Sequence, residues 1–455
     1  MVLCHAARNG SLMAWQQLRE RSRILFGKTR GAGAIAQTIF ARLLIAGVNV
    51  CTGIISARVL GTSGRGEMSA MLVWPGLLAY LLTLGLPSAI RYWIRREPER
   101  RSEFFTVSVI GAGVASLIAI AIGLFFIPLW LRNYSADVVH GAQILMIFSP
   151  EVMLGLIFTA MLETLGEFNT ANFSRYVTVL LTLFALGALA LSHQMTPFTG
   201  SLAYTGAPVA VAFWIAWRLR THFALRFFDP RPAMRLLASY GFRSYGIDVL
   251  NVIATQVDQV LVIGFLSTAD VGIYVVALNA SRVINILHSA VVTVVFPTAS
   301  GLSKDLVVGM VGRSARISTG IAFAGGLALV LVIPFLLPLF YGGAFARAVP
   351  VAQLLTLEAV VGGLVSVLAQ AFMALDRPGI VTMLQGLGLA LVLPLMFVLL
   401  PHFGLLGAAL ALLISTSCRF ALIAGAYPLI LKTALPTLIP QREDFVRLRS
   451  ALTHR

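Results

Sequence analysis

The sequence predicts an all-α polytopic membrane protein, with about twelve transmembrane helices in two pseudo-symmetric six-helix lobes around a central cavity. Three observations predict it. The chain of 455 residues is 58% hydrophobic and 11% charged, with a mean hydropathy of +0.89. A soluble domain cannot hide that much apolar surface. Cations gather in alternate connections between the apolar stretches. Landmarks of the first half recur in the second at a nearly constant offset.

Residues 1–33 form a basic tail. Arg19, Arg21, Arg23, Lys28 and Arg30 precede the first apolar span, and no small-residue cleavage site follows a short apolar core, so the tail reads as cytoplasmic and not as a secretory leader. Apolar spans follow at 34–57, 69–92, 104–130, 141–163, 172–192 and 197–217. These make an N-terminal lobe over 34–217. The stretch 218–237 alternates apolar and basic residues and reads as an amphipathic cytoplasmic connector on the inner leaflet. Spans at 239–265, 271–298, 317–341, 350–374, 379–400 and 404–431 make a C-terminal lobe over 238–432, and 433–455 is a second cytoplasmic tail.

Loop charges orient this series. Arg95, Arg96, Arg100 and Arg101 follow span two; Arg218, Arg220, Arg226, Arg231 and Arg235 follow span six; Lys304, Arg313 and Arg316 follow span eight. The connections after odd-numbered spans hold few cations, chiefly Arg65, Arg132 and Arg347. Both termini are therefore expected in the cytoplasm. Trp74, Trp130, Trp214 and Trp217 fall near span ends, where interfacial aromatics sit. The charge of +16 serves orientation and lipid headgroups, not nucleic acid. Cys4, Cys51 and Cys418 are far apart and make no metal motif. No connection is long enough for a catalytic domain, so no enzyme is expected.

The repeat joins Leu60-Gly61-Thr62-Ser63 and Gly66 to Leu266-Ser267-Thr268-Ala269 and Gly272, and Glu151 with Gly155 to Glu358 with Gly362. A polar seam repeats with it. Thr38, Arg42, Asn49 and Thr52 of span one correspond to Ser244, Asp248, Thr255 and Asp258 of span seven. With Asn251, the span-seven residues fall at steps of three and four, on one helix face. Carboxylates inside hydrocarbon are expensive unless they face a protein interior or water, so the seam implies a cavity.

The chemistry offered there is cationic and acidic at once. Arg42 is either a snorkelling surface arginine or a cavity cation that receives phosphate, for which a planar guanidinium is suited. Arg282 lies deeper, with Asn279, Asn285 and His288 on one broad face. Arg91 is a cavity-mouth cation or a loop anchor. Asp248 and Asp258 either neutralise cavity arginines or bind and release a proton or Na⁺, and Glu151 and Glu358 occupy equivalent positions in the two lobes.

The runs Ala57-Arg58-Val59-Leu60-Gly61 and Leu84-Gly85-Leu86-Pro87-Ser88-Ala89-Ile90 resemble polysaccharide flippases of the MOP (multidrug/oligosaccharidyl-lipid/polysaccharide) exporter superfamily. So do Asp258 with Gly264, Gly272, Tyr274 and Phe296-Pro297, then Tyr341-Gly342-Gly343, then Gly404-Leu405-Leu406-Gly407. The resemblance implies a V-shaped pair of bundles in the bacterial inner membrane. It implies export of an undecaprenyl-pyrophosphate-linked oligosaccharide by alternating access, with proton or Na⁺ coupling and no bound cofactor. It further implies that Arg42, Arg91 and Arg282 hold the pyrophosphate; Asn49 of the first seam and Asn285 of the Arg282 face are the further substrate-binding candidates. Asp248, Asn251, Asp258, Glu151 and Glu358 are then candidates for ion coupling. Polysaccharide polymerase and chain-length machinery are the expected partners. A multidrug exporter of the same superfamily and a membrane glycosyltransferase or polymerase are the alternatives; Arg42 weighs against the first, and the lack of a catalytic acid cluster against the second.

Overall fold

The computed structural model describes residues 30–223, 229–299 and 301–438, with side chains from Leu44 onward. The basic leader, most of the C-terminal tail and the Arg42 side chain lie outside the described residues. Helices fill nearly all of the rest. They are α1 (Arg30–Leu82), α2 (Leu86–Arg96), α3 (Arg101–Trp130), α4 (Ala136–Leu145), α5 (Ser149–Thr164), α6 (Phe168–Leu191) and α7 (Pro197–Leu219) in the N-terminal lobe. In the C-terminal lobe they are α8 (Arg231–Phe265), α9 (Thr268–Ser281), α10 (Asn285–Ala299), α11 (Lys304–Tyr341), α12 (Ala348–Ala374) and α13 (Pro378–Ala426).

Among the described residues nine helices are long and apolar enough to cross a membrane. Two of these hold two crossings each. Gly61 at φ 67° divides α1 and Gly404 at φ 55° divides α13, conformations that glycine adopts without a Cβ clash. With α9 and α10 taken as one further crossing, interrupted by a 3₁₀ turn at Arg282–Ile284, the chain passes twelve times. Phe125, Phe184 and Phe335 are each at least 70% exposed, on surfaces that only hydrocarbon covers favourably.

Span two differs from its expected form in an instructive way. It starts directly at Thr62 with no polar loop, runs to Leu82, breaks at Leu84 (φ 50°) and Gly85 (φ 74°), and resumes as α2. The break frees the carbonyl of Leu81, which accepts a hydrogen bond from the Tyr245 hydroxyl of α8. A Cβ on Gly85 would lie 2.3 Å from the Gly241 carbonyl oxygen, so α1, α2 and α8 meet backbone to backbone. Trp74 is consequently interior. It is 4% exposed and stacks on Trp130 at 4.6 Å, so it is a core residue and not an interfacial anchor.

The lobes touch most intimately where the repeat is clearest. A Cβ on Gly66 would lie 1.7 Å from the Thr268 carbonyl oxygen, and one on Gly272 would lie 2.0 Å from that of Thr62. The second limb of α1 and the start of α9 therefore cross through equivalent glycines. Nearby, Arg58 donates to the carbonyl of Phe340 at 2.7 Å and to that of Leu339, placing a cation on the C-terminus of α11.

Candidate functional site

Below that crossing the two lobes enclose a cavity of about 360 Å³. Asn49, Arg65 and Tyr204 line it from the N-terminal lobe, and Asn279 and Arg282 from the C-terminal lobe. None of the described residues lining it is acidic. Arg282 sits on the 3₁₀ turn between α9 and α10, is exposed, and donates to the carbonyl of Thr255 at 3.3 Å. The turn reorients α10 relative to α9. Asn285 is exposed but does not line this cavity, and His288 is buried against Gly363 of α12.

Arg65 is the residue whose place the sequence pattern misrepresents. It is not a loop cation. It lies in the second limb of α1, 5% exposed, with its guanidinium 6.0 Å from the Tyr204 ring centroid and its Nε without a hydrogen-bond partner among the described residues. A buried, under-satisfied guanidinium beside a second arginine favours an anionic ligand with several oxygens. A signal was present: Arg65 follows Gly61 by four residues, too few for a loop if the next helix starts at Thr62.

Only part of the span-seven seam reaches this cavity: the Thr255 carbonyl accepts from Arg282, and Asp258 lies within electrostatic reach of the same guanidinium. Asp248 hydrogen-bonds Ser88 and faces Arg91 across the α2–α8 contact. Asp258 is buried and accepts from the Tyr274 hydroxyl at 2.8 Å. The Asn251 side chain lies outside the described residues. Tyr274→Phe removes the hydroxyl that Asp258 accepts from, its Oδ1 having no partner among the described residues. A lost partner on a buried polar group costs about 1–3 kcal/mol. A lower unfolding midpoint of the purified protein is the expected result; an unchanged midpoint would show that Asp258 finds another donor.

Glu151 and Glu358 sit in the interior of the two lobes. Glu151 lines a cavity of about 290 Å³ with Tyr80, Thr159, Arg175 and Thr178. Glu358 accepts from Thr416 Oγ1 at 2.7 Å. Each carboxylate lies over the glycine one turn on: a Cβ would sit in ordinary contact, 3.6 Å from Glu151 Oε1 at Gly155 and 3.4 Å from Glu358 Oε1 at Gly362. Arg91 is elsewhere again. Its Nε is 3.0 Å from Glu163 Oε2, a carboxylate that Arg175 also approaches at 3.4 Å.

Comparison with known proteins places this architecture. The chain is 26% identical over 404 residues to the probable flippase AglR of Haloferax volcanii, covering 84% of this chain and 80% of that one. Its fold resembles the lipid II flippase MurJ in an inward closed conformation, with a TM-score of 0.74 at 15% identity over 90% of this chain and 88% of that one. It also resembles an inward-facing multidrug resistance MATE family transporter of the MOP superfamily, at 0.70 and 16% identity over 87% and 99%. An outward-facing MATE transporter scores 0.57 at 15% identity over 87% and 94%. The sequence model of the polysaccharide biosynthesis protein family matches residues 33–303, more than half of the chain, and the protein, a multi-pass membrane protein, therefore belongs to that family.

Proposed function

We propose that this protein carries a polyprenyl-diphosphate-linked oligosaccharide from the cytoplasmic to the outer leaflet of the cell membrane by alternating access. The observation that carries the reading is the convergence of Arg65 and Arg282, one from each lobe, on one cavity with no acid among its described lining residues. A diphosphate needs such a place. One charge at mid-bilayer costs between about 3 and more than 10 kcal/mol, and a wet cationic chamber removes most of that barrier. The same lining disfavours an organic cation, so the multidrug reading is the weaker one. An inside-negative potential adds roughly 2.3 kcal/mol per charge per 100 mV in the outward direction. The undecaprenyl carrier, the bacterial inner membrane and cytoplasmic termini belong to this proposal, the last supported by loop charge. Deleting the protein is expected to leave lipid-linked repeat units on the inner leaflet and to remove the surface glycan. A deletion strain with normal surface glycan and no inner-leaflet accumulation would contradict the reading.

Ion coupling is assigned to Glu151 and Glu358, with Asp248, Asn251 and Asp258 as the further candidates. Interior carboxylates beside hydroxyls bind a proton or Na⁺, and Glu358 and Asp258 lie within electrostatic reach of Arg282, so their charge state bears on the cation that faces the cavity. Export that persists after both the proton and the Na⁺ gradients are collapsed would remove this assignment.

A further inference from the structure

The cytoplasmic end of α2 carries a feature that neither the central cavity nor the coupling acids account for. Ser88, Arg91, Tyr92 and Arg95 fall at steps of three, one and three along α2, on one stripe. Ala89, Ile90 and Ile94 are buried on the opposite side. The polar stripe and Arg96 line a cavity of about 590 Å³ whose other wall is Tyr240 of α8. The positive-inside rule and the helix dipole account for cations at this end of a helix. They do not account for a concave surface, nor for how its arginines are held.

Each arginine but Arg95 is braced. Glu163 holds Arg91 at 3.0 Å. Arg96 donates to the Tyr92 hydroxyl at 2.6 Å, with its guanidinium 5.8 Å from the Tyr92 ring centroid and 6.0 Å from that of Trp93. Tyr92 stacks on Tyr240 with centroids 4.3 Å apart and planes 16° apart. Trp93 donates from Nε1 to the carbonyl of Leu236 at 3.0 Å, so α2 and the start of α8 are clasped together around the cavity. Braced guanidiniums bind phosphate oxygens with little loss of side-chain freedom. Aromatic faces beside them suit the C–H surface of a sugar ring.

We infer that this mouth is a loading station for a sugar diphosphate, separate from the central cavity and ahead of it on the transport path. The inference rests on the flippase reading above for its place in the cycle. By loop charge the station lies at the depth of inner-leaflet headgroups, where a lipid-borne diphosphate sits before it is moved. Its ligand chemistry, a diphosphate next to a sugar, is shared by a polyprenyl-linked saccharide and by a free nucleotide sugar.

The test uses the full-length protein in detergent, in an Arg65→Ala/Arg282→Ala background that removes the central cations. Titration calorimetry follows farnesyl diphosphate, farnesol and UDP-N-acetylglucosamine. Farnesyl diphosphate is expected to bind and farnesol not to. Arg95→Gln/Arg96→Gln is expected to weaken that binding about ten-fold or more, because charge-assisted phosphate contacts are lost. Tyr240→Ala is expected to weaken UDP-N-acetylglucosamine more than farnesyl diphosphate, which has no sugar and feels the change only through the Tyr92 that braces Arg96. Arg95→Lys/Arg96→Lys keeps the charge, guards against a folding defect and is expected to lose less than the glutamine pair. Equal affinity in parent and glutamine pair overturns the station. Stronger binding of UDP-N-acetylglucosamine than of farnesyl diphosphate overturns its lipid-borne source. Either result leaves the flippase reading to stand or fall on export by Arg282 variants of the otherwise native chain.

Discussion

Arg282→Ala is expected to cut glycan export at least ten-fold while leaving the protein in the membrane. Arg282 is exposed to the central cavity, and its described hydrogen bond runs to a backbone carbonyl, that of Thr255. Truncation removes a positive charge that acts on the buried carboxylates of Asp258 and Glu358, but each keeps its hydrogen bond, from Tyr274 and Thr416, so the fold survives at some cost in stability. A bound diphosphate would lose a charge-assisted pair, worth about 1.5–3 kcal/mol, and each 1.4 kcal/mol is about ten-fold. Arg282→Lys separates charge from shape. Lysine keeps the cation but not the planar fork, so export is expected to fall between wild type and the alanine variant. Surface glycan, normalised to the amount of protein in the membrane, reads the effect. Normal export by Arg282→Ala would mean that the cavity cations do not hold the substrate. Arg65→Ala has a different signature, because Arg65 is buried beside Met68 and Tyr204. Its loss removes packing as well as charge, and membrane levels are expected to fall together with export.

How far the sequence reveals this arrangement depends on the range of the interaction. Hydropathy is a property of single segments, so the crossings are legible. The glycines that accompany Glu151 and Glu358 are legible too, because a turn of helix is local and the half-molecule offset repeats it. Arg65 is hidden because Gly61 turns the chain without a polar loop, so the cation looks extramembranous. The pairing of Arg91 with Glu163 joins residues 72 apart, and no periodicity reports such a contact. The seam of α8 is legible as one helix face, yet a face says nothing about which neighbour covers each turn. Asp248 meets Ser88 of α2, while Asp258 meets Tyr274 of α9. The 3₁₀ turn at Arg282–Ile284 interrupts the helical spacing, and His288 is buried against Gly363 and does not line the cavity.

Gly66→Ala and Gly272→Ala are expected to open the extracytoplasmic end. At each position the new methyl group would fall on a backbone carbonyl oxygen, 1.7 Å away for Gly66 and 2.0 Å for Gly272. Neither carbonyl can swing aside as a side-chain tip does, so α1 and α9 must separate. Overpacking of this kind costs about 1–3 kcal/mol. In a two-state equilibrium that shifts the balance by about 5- to 150-fold, away from the conformation in which the glycines touch. The cost falls on that conformation alone, since helices already parted have room for the methyl group. An Asn49→Cys probe in a cysteine-free background reads the change, because Asn49 lines the cavity beneath the crossing. Labelling by a membrane-impermeant maleimide from outside is expected to accelerate at least five-fold in both variants, and export to fall because the closed state is under-populated. Gly76→Ala in the same limb of α1 is the control: nothing lies within 4 Å of its Cβ position, so labelling and export are expected to match the parent. Unchanged labelling in Gly66→Ala and Gly272→Ala would show that this crossing does not close the path. Arg58→Ala at the same end removes a side chain held on the carbonyls of Leu339 and Phe340. It is expected to accelerate labelling less than either glycine variant, because an exposed charge on a helix end contributes only about 0.3–1 kcal/mol.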